Sequence, residues 1–202
     1  RQVVVPTTLG AAEFSDLGGC TDPLRGIKDA YLGKSIGAAT VILDPAITKH
    51  TPSWLWLSTG VRGIDHAVEG ICSTQQNPLI QATCLHALRL FANALPRTYQ
   101  DPEDLQARLE CQQAAWLAGL GILRVAYGAS HGIGHSLGAV TGMSHGYTSC
   151  VMLPHVMRFN QDKTAQAQKA IAQAMGGSGS AADQVSELIA SWGMPQTLTS
   201  QN

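Results

Sequence analysis

The chain has 202 residues, with 13 lysines and arginines against 14 aspartates and glutamates. That near-balance, without a basic run, excludes nucleic acid and an anionic membrane surface as expected partners, and no apolar run reaches the ~18 residues of a membrane span. Charged residues make up only 13% where ~25% is usual, so part of the exterior is expected to be covered by another domain or by the second copy of a homodimer.

Five cysteines without a C-x-x-C pair do not form a disulfide framework. Cys20, Cys72, Cys84, Cys111 and Cys150 read as buried apolar fillers in a reducing cytoplasm. Gln2–Val5, stopped by Pro6, reads as a short buried strand. The turn from Thr7 to Glu13 offers hydroxyls and amides to a phosphate or ribose, and fits a plain capped turn equally well. Ala39–Leu43 is a second strand, closed by Asp44-Pro45. With Gly18-Gly19 between them, the strands look like the closing edge of an α/β domain. A chain that opens at Arg1 in mid-strand is expected to be a piece of a longer one.

From Thr51 the apolar period changes from two to 3.6. Thr51 is a good N-cap with Pro52 at the first helical position, and Trp54, Leu57, Val61, Ile64, Val68 and Ile71 form one apolar face. Asn77-Pro78 opens a second helix that Pro96 should end. Asp101-Pro102 opens a third, with Leu105, Leu109, Trp116, Leu120 and Leu123 as its stripe, running towards Gly128. A helix from about 147 to 160, kinked by Pro154, and two more at about 163–175 and 181–192 complete the chain. Ser180 with Asp183 begins the last of these, and Gly193 and Pro195 end it. Gly176–Gly179 follows a helix rather than a strand and lacks the Lys-Ser/Thr of a phosphate loop, so it reads as an inter-helix connection.

Between these lies Ser130–His145, which holds His131, His135 and His145. Residues four apart share a helix face, so His131 and His135 can reach one object together. Gly132, Gly134, Gly138 and Gly142 each lower helix propensity by roughly 1 kcal/mol relative to alanine. A helix so stripped admits something bulky near its backbone, such as a flat cofactor, a metal, or both. His66 points opposite the Trp54–Ile71 stripe, on a face shared with Arg62, Glu69 and Ser73. Alone that reads as a solvated face; beside His131 and His145 it completes three imidazoles, the equipment of a catalytic iron or zinc centre. His50, His86 and His155 lack partners and read as structural.

The segments G-I-D-H-A-V-E-G (63–70), H-G-I-G-H-S-L-G (131–138), S-H-G-Y-T-S-C-V-M-L-P-H-V (144–156) and P-T-T (6–8) resemble the iron-containing alcohol dehydrogenase superfamily, and within it the maleylacetate reductases. The resemblance runs from Val3 to about residue 195. It implies a mainly α fold: residues 51–202 as the all-helical catalytic domain of the dehydroquinate synthase-like fold, incomplete at its C-terminus. Residues 1–50 would be a β-containing remnant of the α/β nucleotide-binding domain, the glycine-rich diphosphate loop lying outside these 202 residues.

Carried over by position, the resemblance makes His66, His131 and His145 the metal-ligand histidines and His135 the residue beside the nicotinamide and the proton donor. Thr7 and Thr8 fall near the phosphates and ribose of NAD(H) or NADP(H), and Tyr147 beside the pocket. The family's fourth ligand, an aspartate four residues before the first histidine, is here Arg62. A guanidinium cannot ligate, and Asp65 points about 100° from His66, a poor substitute by helix geometry. Maleylacetate reductases resemble this chain in having the arginine. Arg62 would bind a substrate carboxylate bidentately, and protonated histidines would stabilise the developing alkoxide. Iron or zinc would then be dispensable. The implied reaction reduces maleylacetate to 3-oxoadipate in the breakdown of aromatic compounds. The rivals are a metal-dependent alcohol dehydrogenase with a degenerate ligand set, and a catalytically silent helical module.

Overall fold

The structure, a computed structural model, describes residues 2–22, 24–25 and 27–201. Seven α-helices dominate them: α1 Ser53–Cys72, α2 Pro78–Gln100, α3 Leu105–Gly119, α4 Ala129–Thr141, α5 His145–Phe159, α6 Gln161–Ala174 and α7 Ala181–Ser191. Two short ladders precede them. β1 (Val3–Val4) runs parallel to β4 (Thr40–Val41), and β2 (Leu17–Asp22) pairs antiparallel with β3 (Ile27–Leu32). The hairpin has no counterpart in the sequence reading, because Leu17-Gly-Gly-Cys has little of the β-branched content that marks a strand. The expected burial of the first strand is corrected: Val3 is 65% exposed and Val5 39%, since no layer of this chain covers their outer face. Cys20, on β2, is exposed, whereas Cys84, Cys111 and Cys150 are buried as expected.

α1 is the hub, packed against α2, α3 and α5 and more lightly against α4 and α6. Surrounded in this way it has no solvated face. Every residue from Trp56 to Ile71 is buried except the half-buried Thr59, so the expected solvated side, with Arg62, His66 and Glu69, is inside the protein. The expected stripe is also buried, apart from Trp54. Large side chains from α1, α2, α5 and α7 (Trp56, Ile64, Leu88, Phe91, Leu95, Leu153, Ile189) form the centre of the core; burying each contributes about 1.5–3 kcal/mol. α5 comes so close to α1 that a Cβ at Gly146 would stand 2.6 Å from Ser58 Oγ.

Several boundaries differ from expectation for local reasons. Thr51 does not cap α1: its hydroxyl donates to the Thr7 carbonyl at 2.7 Å, and the helix starts at Ser53. Asn77 Oδ1 accepts from the Ile80 amide at 3.1 Å, as an N-cap should, but α2 runs through Pro96 to Gln100. The turn beyond the proline is held by Trp56 Nε1 donating to Thr98 Oγ1 at 3.1 Å and by Arg97 paired with Asp104 and Glu110. α3 opens at Leu105, not Pro102, with Asp104 accepting from the Ala107 amide, and stops at Gly119. Its expected stripe lies mostly on the outer side: Leu105, Trp116 and Leu123 (the last beyond the helix) are exposed, Leu109 is half-buried, and Leu120 packs against the core. The buried face is Ala107, Cys111, Ala114, Ala115 and Ala118, small residues that let α3 pack closely on its neighbours. α5 runs through Pro154 and begins at His145, Ser144 capping it. Ser180 caps α7 as expected, and Gly176–Gly179 connects α6 to α7.

The segment ahead of α1 is fastened to the helices by its main chain. Gln112 Nε2 donates to the carbonyls of Pro6 (3.2 Å) and Asp44 (3.3 Å), the Leu9 amide donates to Thr59 Oγ1 (3.1 Å), and the Leu9 side chain is fully buried. Among the described residues no helix is long and apolar enough to cross a membrane.

Candidate functional site

Arg62, Asp65, His66 and Glu69 lie within two turns of α1 and share one side of it. α4 presents Ser130, His131 and His135 to them, and α5 adds His145 and Ser149. The four imidazoles expected to converge do stand in sequence. His66 and His131 have ring centroids 4.7 Å apart, His131 and His135 6.4 Å, and His135 and His145 5.5 Å. Arg62, 7% exposed, directs Nη2 at His135 Nε2 (3.3 Å) and Nη1 at Ser149 Oγ (3.2 Å). A guanidinium only donates, so His135 Nε2 is the acceptor and this ring carries its proton on Nδ1. Thr7 is exposed and Thr8 half-buried. Tyr147 meets Trp54 in a tilted contact, with centroids 5.5 Å apart and the planes at 47°. His50, His86 and His155 are exposed.

Two carboxylates sit at the centre: Asp65, read from the sequence as a poor substitute ligand, and Glu69, read as part of a solvated face. Asp65 is fully buried, and its Oδ2 accepts from Ser149 Oγ (2.6 Å) and Ser130 Oγ (2.9 Å), with Arg62 Nη1 3.6 Å away. The helix-wheel angle from His66 that counted against Asp65 turns it towards α4 and α5, so it belongs to the site. Glu69 reaches the start of α4, where Oε1 accepts from the Ser130 amide (2.9 Å). Its Oε2 accepts from the amides of Gly128 (3.1 Å) and His131 (3.2 Å) and meets His131 Nδ1 at 2.6 Å. A Cβ at position 128 would lie 2.9 Å from Glu69 Oε1, so this approach requires glycine. Asp65 and Glu69 are one turn apart on a helix of a charge-poor chain, and that spacing was the available signal.

Burial lowers the Arg62 pKa, opposed by Asp65 and Glu69. Burial is also the main reason that His66 is held well below an ordinary histidine, with the His131 and Arg62 charges adding to it. For Glu69 burial pushes upward, but the hydrogen bond and charge of His131 and two backbone amides outweigh it and hold the carboxyl low.

His131 Nε2 and His66 Nδ1 are 2.8 Å apart, His131 Nδ1 faces Glu69, and His66 Nε2 faces the Gly10 carbonyl at 3.3 Å. Each ring nitrogen of this pair therefore points at a hydrogen-bond partner, and the position of the family's acidic ligand is a guanidinium. Asp65, Glu69 and His131 offer ligand atoms within 4.8 Å of one another, yet Glu69 already closes a helix end and Asp65 serves two hydroxyls. As arranged, these residues do not fit a metal ion.

Comparison with known proteins bears on the same residues. The model of the Fe-containing alcohol dehydrogenase family, C-terminal, matches residues 56–202. Dehydrogenase ALT3 of Alternaria alternata is 35% identical over 96% of this chain and 59% of its own. The maleylacetate reductase of Sphingobium indicum is 30% identical over 97% of this chain and 55% of its own. The structure of sulfoacetaldehyde reductase from Bifidobacterium kashiwanohense in complex with NAD+ superposes with a TM-score of 0.89 at 25% identity, covering 98% of this chain and 54% of that one. The chain spans a little over half the length of the curated relatives it matches.

Proposed function

The chain belongs to the iron-containing alcohol dehydrogenase family, and from that premise we propose that it forms the helical catalytic part of an NAD(P)H-dependent, maleylacetate reductase-like oxidoreductase. The observation that carries this reading is Arg62. It is a buried guanidinium where the family's acidic ligand is expected, directed at His135 and Ser149. A fixed cation suits a carboxylate of a small keto acid better than the oxygen of an uncharged alcohol.

NAD(P)H, when bound, supplies the hydride. In maleylacetate that hydride adds to the alkene carbon β to the ketone. The electron pair of the double bond moves to the ketone oxygen as an enolate, and a proton at the α carbon completes 3-oxoadipate. Arg62 and the imidazoles beside it oppose the enolate charge, and His135 delivers the proton. It does so as an imidazolium, which requires Nε2 to be released from Arg62 when the substrate carboxylate takes the guanidinium. No step passes through iron or zinc. The balanced charge of the chain supports a small-molecule ligand and its low charge content a homodimer, and its free cysteines suit a reducing cytoplasm.

Arg62→Lys tests the reading in the enzyme that contains this chain. Lysine keeps the charge but loses the planar fork, so the KM for the dicarboxylic keto acid should rise at least tenfold, with a smaller change in kcat. Unchanged kinetics would remove Arg62 from substrate binding. One tightly held equivalent of iron or zinc in protein purified without chelator would instead favour a metal-dependent alcohol dehydrogenase. Failure of NADH and NADPH to bind saturably would favour the silent module.

A further inference from the structure

The contacts of Glu69 continue beyond the helix end that it closes. From Glu69 Oε2 they pass to His131 Nδ1 (2.6 Å), from His131 Nε2 to His66 Nδ1 (2.8 Å), and from His66 Nε2 to the Gly10 carbonyl (3.3 Å). The two ends of this series are oxygen acceptors. A carbonyl oxygen only accepts, so His66 Nε2 donates to Gly10. From that ring the series passes through the His66 Nδ1–His131 Nε2 contact to the Glu69 carboxylate at His131 Nδ1.

We propose that Glu69 is a positioning residue: through His131 and His66 it holds the Gly10 carbonyl, so that the start of α4 and the Thr7–Gly10 turn form one hydrogen-bonded unit. The turn makes no regular secondary structure with its own segment between Pro6 and Gly10, and its handles are held by side chains of α1 and α3 and by Thr51 ahead of α1. Thr51 Oγ1 donates to the Thr7 carbonyl, the Leu9 amide donates to Thr59, and Gln112 donates to the Pro6 carbonyl. Of the handles, only the Gly10 carbonyl is joined to α4, the helix that carries His135. Tyr127 covers the two rings of the strut, its centroid 4.5 Å from His131 and 5.4 Å from His66, and shields their hydrogen bonds from water. Loss of Glu69 would therefore be felt at a turn that it does not touch.

The strut stands on geometry alone; its consequence for the nucleotide rests on the reductase reading of Thr7 and Thr8. The test uses nitrogen NMR of the histidine rings and exchange of the Leu9 amide in the whole chain. Glu69→Gln replaces an acceptor oxygen by a donor. It should move the His66 ring signals, although residue 69 makes no hydrogen bond to that ring among those described, and accelerate Leu9 exchange roughly tenfold. His66→Phe, which leaves Glu69 at the start of α4, should accelerate Leu9 exchange equally, and the double variant no further than either single one. Additive effects, or His66 signals unmoved by Glu69→Gln, would overturn the proposal, because a mere helix cap acts only locally. If Glu69→Gln does not fold, His66→Phe decides alone: unchanged Leu9 exchange overturns the strut. In the enzyme, both variants should raise the KM for the nucleotide several-fold. An unmoved nucleotide KM beside moved ring signals would count against the nucleotide reading of the turn and leave the strut standing.

Discussion

Two pairs of imidazoles share this site and differ in their surroundings. His66 and His131 are each 5% exposed and face Glu69, each other and a backbone carbonyl. His135 is exposed and His145 half-buried, and the guanidinium of Arg62 faces His135. Three helices place all four, His66 on α1 and His145 on α5: α4 carries one ring of each pair, and a single helical turn separates His131 from His135. The inner pair serves the architecture, and the outer pair stands where a ligand can reach it. A histidine's neighbours, more than its spacing from other histidines, decide which of these roles it takes.

Arg62 lies between the pairs, and removing it gives the largest expected effect. Asp65 has no exposure and keeps its charge company with Arg62 at 3.6 Å. Arg62→Met would fill the space but leave a buried carboxylate without its cation, which costs about 3–5 kcal/mol when a buried pair is broken. Urea denaturation of the variant measures this directly. A loss below about 1 kcal/mol would mean that Ser130, Ser149 and His131, whose Nδ1 lies 3.5 Å from Asp65 Oδ1, satisfy Asp65 without Arg62, and would reduce Arg62 to a ligand-binding group.

Protonation sharpens the comparison on a smaller scale. His66 is held below its ordinary 6.5, so below that pH the unfolded chain binds the proton more readily than the folded one. Its contribution to stability is complete above pH 6.5 and is lost as pH falls towards the folded value. Glu69 is likewise held below its ordinary 4.5, so its contribution persists to lower pH. Between pH 6.5 and 4.5 stability should therefore fall with a slope of at most about 1.4 kcal/mol per pH unit from His66. His66→Phe should flatten that segment of a urea-midpoint series. An equally steep profile in the variant would assign the slope to another group.

How much of this was legible in the sequence depended on the size and range of the signals. The α1 stripe was readable because Leu57, Val61, Ile64, Val68 and Ile71 are large and apolar at helical steps. The buried face of α3 was not, because Ala107, Cys111, Ala114 and Ala118 are small, and the larger Leu105, Trp116 and Leu123 drew the assignment to the outer side. Pro96 failed to end α2 because Trp56 and Asp104, from other parts of the chain, hold the next turn. The histidines were legible through spacing and resemblance. The carboxylates were hidden, since the partners of Glu69 lie 59 or more residues away and Ser149 lies 84 residues from Asp65. Local pattern therefore read α1 as having a wet face, and only the packing of α4 and α5 against it shows that the charged side is internal.

The outer pair gives the smallest expected change in stability and the sharpest contrast with the inner one. His135 is exposed on α4, next to Gly132, where a Cβ would meet nothing within 4 Å. His135→Gln keeps a side chain able to accept from Arg62 but cannot carry a proton on and off near neutral pH. Its stability should lie within about 0.5 kcal/mol of the parent, as for surface substitutions generally. Turnover in the enzyme should fall by about 10²–10⁴, the usual contribution of a positioned general acid, with little change in the KM for the keto acid. Stability and turnover falling together would place His135 with His66 and His131 as part of the framework. Turnover falling alone would establish that one turn of α4 separates a ring that holds the site together from a ring that works in it.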